Sequence, residues 1–259
     1  MIDYTQASKD VFAIEAVPRL GFSSHHTLVQ EALIPLGIRC VLSQGVDWGK
    51  GLTTLIEQNL RHKYLLTLDY DSFFTVYDVA RLYALMEEHP EIDALCPIAM
   101  CRYPILKPAF TQADENGNRV EKISREELEA PLLEIVCGHF NLAIFRAEAL
   151  QELPKPWFWS QPDDDGRWGE KSLAQEQYFW RNWHRSGRTI YQANHVVIGH
   201  LDTVVLWPGN NLQPFLQFEN EYLQVGKPPE AVNFGKLKPV WPPEQINQES
   251  QPAPQEVPS

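Results

Sequence analysis

The first hundred residues switch repeatedly between two hydrophobic periods, and this constrains the fold more than any other feature of the chain. Short apolar runs at Val11 to Val17, Ile38 to Leu42, Tyr64 to Leu68 and Ile92 to Ile98 have the length of buried strands. Between them, His25 to Leu36, Leu52 to Leu60 and Val76 to Glu88 read as helices. In the first of these, Leu28, Val29, Ala32, Leu33 and Leu36 share one face and Gly37 stops it. Strands alternating with helices predict βαβ units, hence an α/β fold with a mostly parallel sheet.

After Cys101 the pattern changes. Leu106 to Gln112 and Arg119 to Ile123 flank Asn116-Gly117, which predicts a β-hairpin and a smaller antiparallel part. Ser124-Arg125-Glu126-Glu127 has the form of a capping box opening a short helix. Leu132 to Cys137 and Phe140 to Phe145 read as strands around Gly138, followed by a helix through Leu150. Pro154 to Lys171 reads as a long loop. Ser172 is the expected N-cap, with Gln175 at N3, of a helix reaching Ser186. Thr189 to Tyr191 and His195 to Ile198 are the last strand candidates.

At 259 residues the chain has material for one large core. Its net charge of −12 argues against a generic nucleic-acid surface, which needs a basic footprint. A small anionic ligand stays compatible, because one bound divalent cation dominates its local field. No apolar run is long enough for a membrane span, and Met1 to Asp10 lacks a signal-peptide core. The four cysteines, Cys40, Cys96, Cys101 and Cys137, form no C-x-x-C pair and are expected to be reduced, in a cytoplasmic protein.

Chemistry concentrates first at Asp69-Tyr70-Asp71, where a buried strand ends in two acids at i and i+2. On extended chain these face one side, at the sheet edge where open α/β folds bind ligands. Two adjacent carboxylates repel unless a cation lies between them, and a divalent metal bridging to a diphosphate fits that need. The structural alternative is a pair of acids that cap a turn. Downstream come Gly138 to Arg146, then Pro154-Lys155-Pro156-Trp157-Phe158, Gln175-Glu176-Gln177 and Ile198-Gly199-His200.

Taken in this order, these segments resemble the layout of GT-A glycosyltransferases, in particular small bacterial- or phage-type members of the family-2-like kind. The resemblance spans Val11 to Asp202. It implies a Rossmann-like, nucleotide-diphospho-sugar transferase fold and a metal-dependent transfer from a nucleotide-sugar donor to a hydroxyl acceptor. Asp71 would ligate Mn²⁺ or Mg²⁺ with the donor diphosphate, Asp69 would contact the ribose or a metal-bound water, and His200 would be the third ligand of the metal site. Glu176 stands where the family carries its acceptor-activating acid. Here the motif reads Gln175-Glu176, a departure from the family's pair of acids. Pro18, Asp47 and Gly138 would line the donor site, with Glu15 to Pro18 and Ser43 to Asp47 against the base. Gly51 to Glu57 lacks the Arg that many relatives carry. His139 and Asn141 are candidates for sugar hydroxyls, and one of Trp157, Trp159 and Trp168 for an acceptor cleft.

Each residue also has a structural reading: a strand-end histidine for His200, a first-turn acid for Glu176, a strand-bend glycine for Gly138. Two other functions compete. A sugar nucleotidyltransferase needs a glycine-rich basic loop that Pro18-Arg19-Leu20-Gly21 matches poorly, and a non-catalytic nucleotide- or carbohydrate-binding relative would tolerate the altered Gln175-Glu176. The expected organisation is one catalytic domain over 1–238, comprising a nucleotide-binding half at 11–101, an acceptor half at 102–205 and an extension at 206–238. The Pro-, Gln- and Glu-rich stretch 239–259 has too little apolar surface to offset its ordering entropy and is expected to be a disordered tail.

Overall fold

The computed structural model describes residues 4–102, 107–113, 119–120, 124–169, 172–208, 214–226 and 228. The expected tail and the Asn116-Gly117 turn lie outside the described residues. The chain divides into two compact units, residues 1–101 with 106–201, and residues 102–105 with 202–259.

The first unit opens with α1 (Tyr4–Asp10), β1 (Val11–Val17), α2 (Ser23–Leu33) and a 3₁₀ turn at Ile34–Leu36. It continues with β2 (Arg39–Gln44), α3 (Trp48–Asn59), β3 (Tyr64–Asp69), β4 (Ser72–Phe73), α4 (Val76–Glu88) and β5 (Ala94–Ile98). Next come β6 (Gln112–Ala113) and β7 (Arg119–Val120), paired antiparallel as the hairpin reading expects, then α5 (Arg125–Glu129) and β8 (Leu132–Glu134). β9 (Leu142–Arg146), α6 (Ala147–Glu152), α7 (Gln175–Arg185), β10 (Ile190–Val197) and β11 (Gly199–His200) complete it. The second unit holds β12 (Val204–Pro208) and β13 (Pro214–Phe218), paired antiparallel, and α8 (Glu219–Val225).

A seven-stranded sheet in the order β2-β1-β3-β9-β5-β10-β8 organises the first unit. β2, β1 and β3 are mutually parallel, as are β5 and β10, while β9 runs antiparallel between β3 and β5 and β8 antiparallel at the edge. This is the α/β, Rossmann-like, mostly parallel architecture with a smaller antiparallel part that the sequence predicts. Alternation along β1 divides the core. Val11 and Ala13 pack with α2 and α4 on one face, whereas Phe12, Ile14 and Ala16 pack with α3 and α7 on the other. On α7, Phe179, Trp180 and Trp183 are fully buried among Phe140, Phe145 and Phe158. Each such side chain stabilises the fold by ~1.5–3 kcal/mol relative to exposure. Arg146, at the end of β9, donates to the carbonyls of Ile92, Met86 and His89 and so satisfies the last turn of α4.

Four local expectations are corrected. The helix after the long loop starts at Gln175, with Ala174 as N-cap. Leu173 pairs with Gln161 in an isolated bridge, which keeps the chain extended past Ser172, whose hydroxyl donates to Gly169 instead. The two strands expected around 189–198 are one, β10. Asn194, in the gap between those two candidates, satisfies its amide by donating to the Glu127 and Ala130 carbonyls. The strand expected to Cys137 stops at Glu134, because Val136 and Cys137 turn to pair with Thr111. The helix expected from Leu52 begins at Trp48, one residue after an Asp47 cap.

All four cysteines are free thiols, and burial pushes those of Cys40 and Cys96 up to about 12. Among the described residues no helix is long and apolar enough to cross a membrane.

Candidate functional site

β3 ends at Asp69, and the chain turns through Tyr70 and Asp71 into the two-residue strand β4. The two acids therefore do not share one face of an extended strand, as their spacing predicts. Asp69 stays at the half-buried edge, while the turn carries Asp71 inward to 1% exposure. β4 pairs antiparallel with β11, setting Ser72 opposite His200 and Phe73 opposite Gly199. The Leu201 N–H donates to the Asp71 carbonyl at 2.7 Å and extends this contact.

This small ladder brings His200 Nε2 to 3.3 Å from Asp71 Oδ1. The other imidazole nitrogen, Nδ1, lies 2.9 Å from the Met100 carbonyl, an acceptor, so Nδ1 carries a proton and donates. Nε2 then faces a carboxylate, an arrangement that is attractive only with a proton or a cation between the two. A backbone carbonyl fixing the far nitrogen is also the usual support of a metal-ligating histidine. The donor set thus fits a divalent ion as a two-ligand half-site. Among the described residues no group of three or more His, Cys, Asp or Glu side chains that could hold a metal is gathered, so Asp69, Asp71 and His200 do not form a complete protein triad.

Glu176 lies in the first turn of α7, and its Oε1 accepts the Phe140 N–H at 3.2 Å. Burial pushes its carboxyl up to about 7, and the Asp69 charge adds to that rise. The Phe140 hydrogen bond and His200 pull the other way. Glu176 therefore shares its electrostatic environment with Asp69 and His200, and four residues from three separate segments, Asp69 and Asp71, Glu176 and His200, converge beyond the carboxyl end of β3. A carboxyl tuned near neutrality is suited to moving a proton.

Beneath the acid turn lies His25. Its Nδ1 is 2.7 Å from the Ser72 carbonyl and its Nε2 is 3.0 Å from Glu15 Oε1, and both residues are buried. Burial alone would lower the His25 pKa. The Glu15 hydrogen bond, the Ser72 carbonyl and the charges of Glu15 and Asp71 outweigh it and hold the value above the usual imidazole range. With an acceptor on each nitrogen, the ring is an imidazolium paired with Glu15. No sequence pattern flags this pair, since the two residues meet only when α2 packs on β1.

Beside the acids, at the carboxyl ends of β1 and β2, lies a cavity of about 480 Å³ lined by Pro18, Arg19, Ser43, Asp47, Trp48 and Tyr70, among others. Its size falls in the range of roughly 300–1,000 Å³ typical of small-molecule sites. Pro18 and Asp47, both candidates in the sequence, line this cavity. Asp47 has a further task, accepting the Lys50 N–H as the cap of α3. Arg19, Trp48 and Tyr70 went unassigned in the sequence. Tyr70 stacks on Phe22 at 6.0 Å, and Arg19 brings a cation to the cavity wall.

The remaining candidates have structural tasks next to the site. Gly138 does not turn an open face to a ligand: a Cβ there would meet Cys96 Sγ at 2.7 Å and Ile190 Cδ1 at 2.8 Å, so core packing demands the glycine. His139 donates to the Pro97 carbonyl from Nε2, and burial lowers its pKa to about 4, keeping it neutral. Asn141 is buried and its backbone carbonyl accepts the Asp69 N–H.

No family model and no curated protein sequence matches this chain. Solved structures are similar to it, among them the following three. The first, A197 from STIV, is 15% identical with a TM-score of 0.51, over 80% of this chain and 94% of that one. This likeness bears on the fold alone. GalNAc-T7 with UDP, GalNAc and Mn²⁺ is 13% identical with a TM-score of 0.43, over 74% of this chain; the match spans 44% of that chain. CMP:2-keto-3-deoxy-manno-octonic acid synthetase complexed with CTP is 12% identical with a TM-score of 0.39, over 74% and 92% of the two chains.

Proposed function

We propose that this chain is a metal-dependent glycosyltransferase that moves a sugar from a nucleotide-diphospho-sugar to a hydroxyl acceptor. The observation that carries this reading is the approach of His200 Nε2 to Asp71 Oδ1 at 3.3 Å, beside a ligand-sized cavity and within the electrostatic reach of Glu176. The Rossmann-like sheet agrees with it, because such folds bind ligands at the carboxyl ends of their strands.

In this reading the nucleoside occupies the cavity lined by Pro18, Asp47 and Tyr70, with Arg19 facing its phosphates. Asp71 and His200 would hold Mn²⁺ or Mg²⁺, which would supply charge neutralisation for the departing diphosphate. Imidazole beside carboxylate suits Mn²⁺ somewhat better than Mg²⁺. Asp69, at the rim, orients the ribose or a water. Glu176 accepts the proton of the acceptor hydroxyl as its oxygen bonds to the anomeric carbon. The bond from that carbon to the diphosphate breaks, and the nucleoside diphosphate leaves with the electron pair. Gln175, the departure from the family's pair of acids, is engaged in backbone capping, and this leaves Glu176 as the acid of the turn.

The test is a thermal-shift screen of nucleoside diphosphates and their sugars with and without Mn²⁺, followed by donor turnover on wild type and Asp71→Ala. Metal-dependent stabilisation by one base, with turnover lost in the variant, is the expected result. Unchanged turnover in Asp71→Ala would sink the metal assignment. Donor binding without turnover on any acceptor would leave a non-catalytic binding protein.

A further inference from the structure

The loop between α6 and α7 carries three tryptophans with three different fates. Trp157 is 2% exposed in the aromatic core and Trp168 is 67% exposed on the surface. Trp159, 54% exposed, lines a second cavity of about 390 Å³ that the donor site does not use. Lys50, Thr53, Thr54, Ser160 and Gln175 also line it, and Asp47 borders both cavities.

The chemistry of this lining is selective. Thr53 donates its hydroxyl hydrogen to the Gly49 carbonyl at 2.7 Å, and Thr54 donates to that of Lys50 at 3.0 Å. Their oxygens therefore retain lone pairs as acceptors. Lys50 has no ion pair among the described residues, so its ammonium is available as a donor. Its charge is balanced by Asp47 on the same wall, so an anionic ligand gains no net field. A ligand that presents one apolar C–H face to an indole, and hydroxyls that both donate and accept around its edge, is a neutral sugar ring.

We propose that this cavity is an acceptor subsite for a neutral saccharide stacked on Trp159. The assignment as acceptor rests on the glycosyltransferase reading; saccharide binding itself does not. Gln175 lines the cavity and directly precedes Glu176, so a ring held here has its hydroxyls beside the turn that bears the proposed base.

The experiment uses the full chain labelled with fluorotryptophan, with the Trp159 and Trp168 resonances assigned by their loss in Trp159→Phe and Trp168→Phe. Fluorine spectra are recorded with maltose, cellobiose and lactose, alone and with UDP and Mn²⁺. The expected result is a saturable shift of the Trp159 resonance with at least one disaccharide, retained when nucleotide is present. Thr54→Val should weaken it, and Trp159→Ala should weaken disaccharide binding, read by calorimetry, by about tenfold. No shift with any disaccharide, or an equal shift at Trp168, overturns the saccharide site. Displacement by UDP shows that the cavity belongs to the donor site and overturns the acceptor assignment. Failure of nucleotides to stabilise the protein, with the Trp159 shift intact, sinks the glycosyltransferase reading and leaves the saccharide site standing.

Discussion

The Gln175 side chain accepts the Gly49 N–H through Oε1 at 3.0 Å, while its Nε2 lies 3.4 Å from Asp47 Oδ1. One amide thus ties the first turn of α7 to the first turn of α3, donating to a carboxylate and accepting from a helix N-terminus together. A glutamate at this position lacks the donor and would set a second negative charge against Asp47. An amide at this position therefore has a structural cause, and it joins the helix that borders the cavity of about 480 Å³ to the helix that carries Glu176.

That junction leaves no space at Gly49. A Cβ would fall 2.6 Å from Gln175 Oε1 and 2.8 Å from Phe158 Cβ. Gly49→Ala should destabilise the fold by about 1–3 kcal/mol, and Gln175→Ala by about 1 kcal/mol. In the double variant the alanine should cost less than it does alone, because one of its two obstructions is gone. Urea unfolding of the four proteins measures this coupling; strict additivity would contradict the contact.

Glu176 makes stability depend on pH in a definite direction. Its folded pKa, raised to about 7, exceeds the ordinary carboxyl value, so the folded state holds the proton longer. Stability contributed by the protonated group is complete below about pH 4 and is lost as pH rises through about 7. Glu176→Gln should remove this dependence and, in chelator-treated protein, be the more stable form above neutrality by about 1–3 kcal/mol. Parallel melting curves of wild type and variant across pH 4–8 would contradict the raised pKa. Turnover should behave oppositely, rising with pH through about 7 in wild type and falling to background in the variant.

The buried His25–Glu15 pair gives a third expectation. His25→Phe leaves the Glu15 carboxylate buried without its cation and should cost ~3–5 kcal/mol. Adding Glu15→Leu should recover much of that loss. The raised His25 pKa means that the pair's stabilisation is present below the ordinary imidazole value near ~6.5 and disappears as pH rises through the folded value. Urea titrations at two pH values on either side, for wild type and both variants, read these effects. A harmless His25→Phe would contradict the ion pair.

Removing either partner of the Asp71–His200 contact should weaken cation binding without disturbing the sheet. With Mn²⁺ at a hundred times its dissociation constant, linkage stabilises wild type by about 2.7 kcal/mol. Asp71→Asn and His200→Ala should each abolish most of that gain in a metal-dependent melt. A full Mn²⁺ response in both variants would move the cation elsewhere.

Much of this was legible in the chain. The parallel half of the sheet follows from apolar runs that alternate with helical periods, because burial on both faces forces that pattern locally. Asp69, Asp71, His200 and Glu176 stood out because they end predicted strands or begin a predicted helix, where side chains reach the sheet's open edge. Errors fell where long-range pairing overrode local signals. Ser172 looks like a cap, yet the Gln161–Leu173 bridge keeps its segment extended. Thr189 to Tyr191 and His195 to Ile198 look like two strands, yet two carbonyls accept from the Asn194 amide between them within a continuous strand.

By itself, the sequence determined the class of fold and which acids and histidine end its strands, since both depend on residue type and spacing along the chain. Tertiary structure decided how they meet. It turned Asp71 away from the strand direction and set His200 against it through a two-residue ladder. It used Gly138 for core packing and Gln175 for a helix cap, paired Glu15 with His25, and buried Trp157 while leaving Trp159 and Trp168 exposed. Each of these outcomes depends on contacts between segments far apart in sequence, and the energy of such contacts is not written in any local pattern.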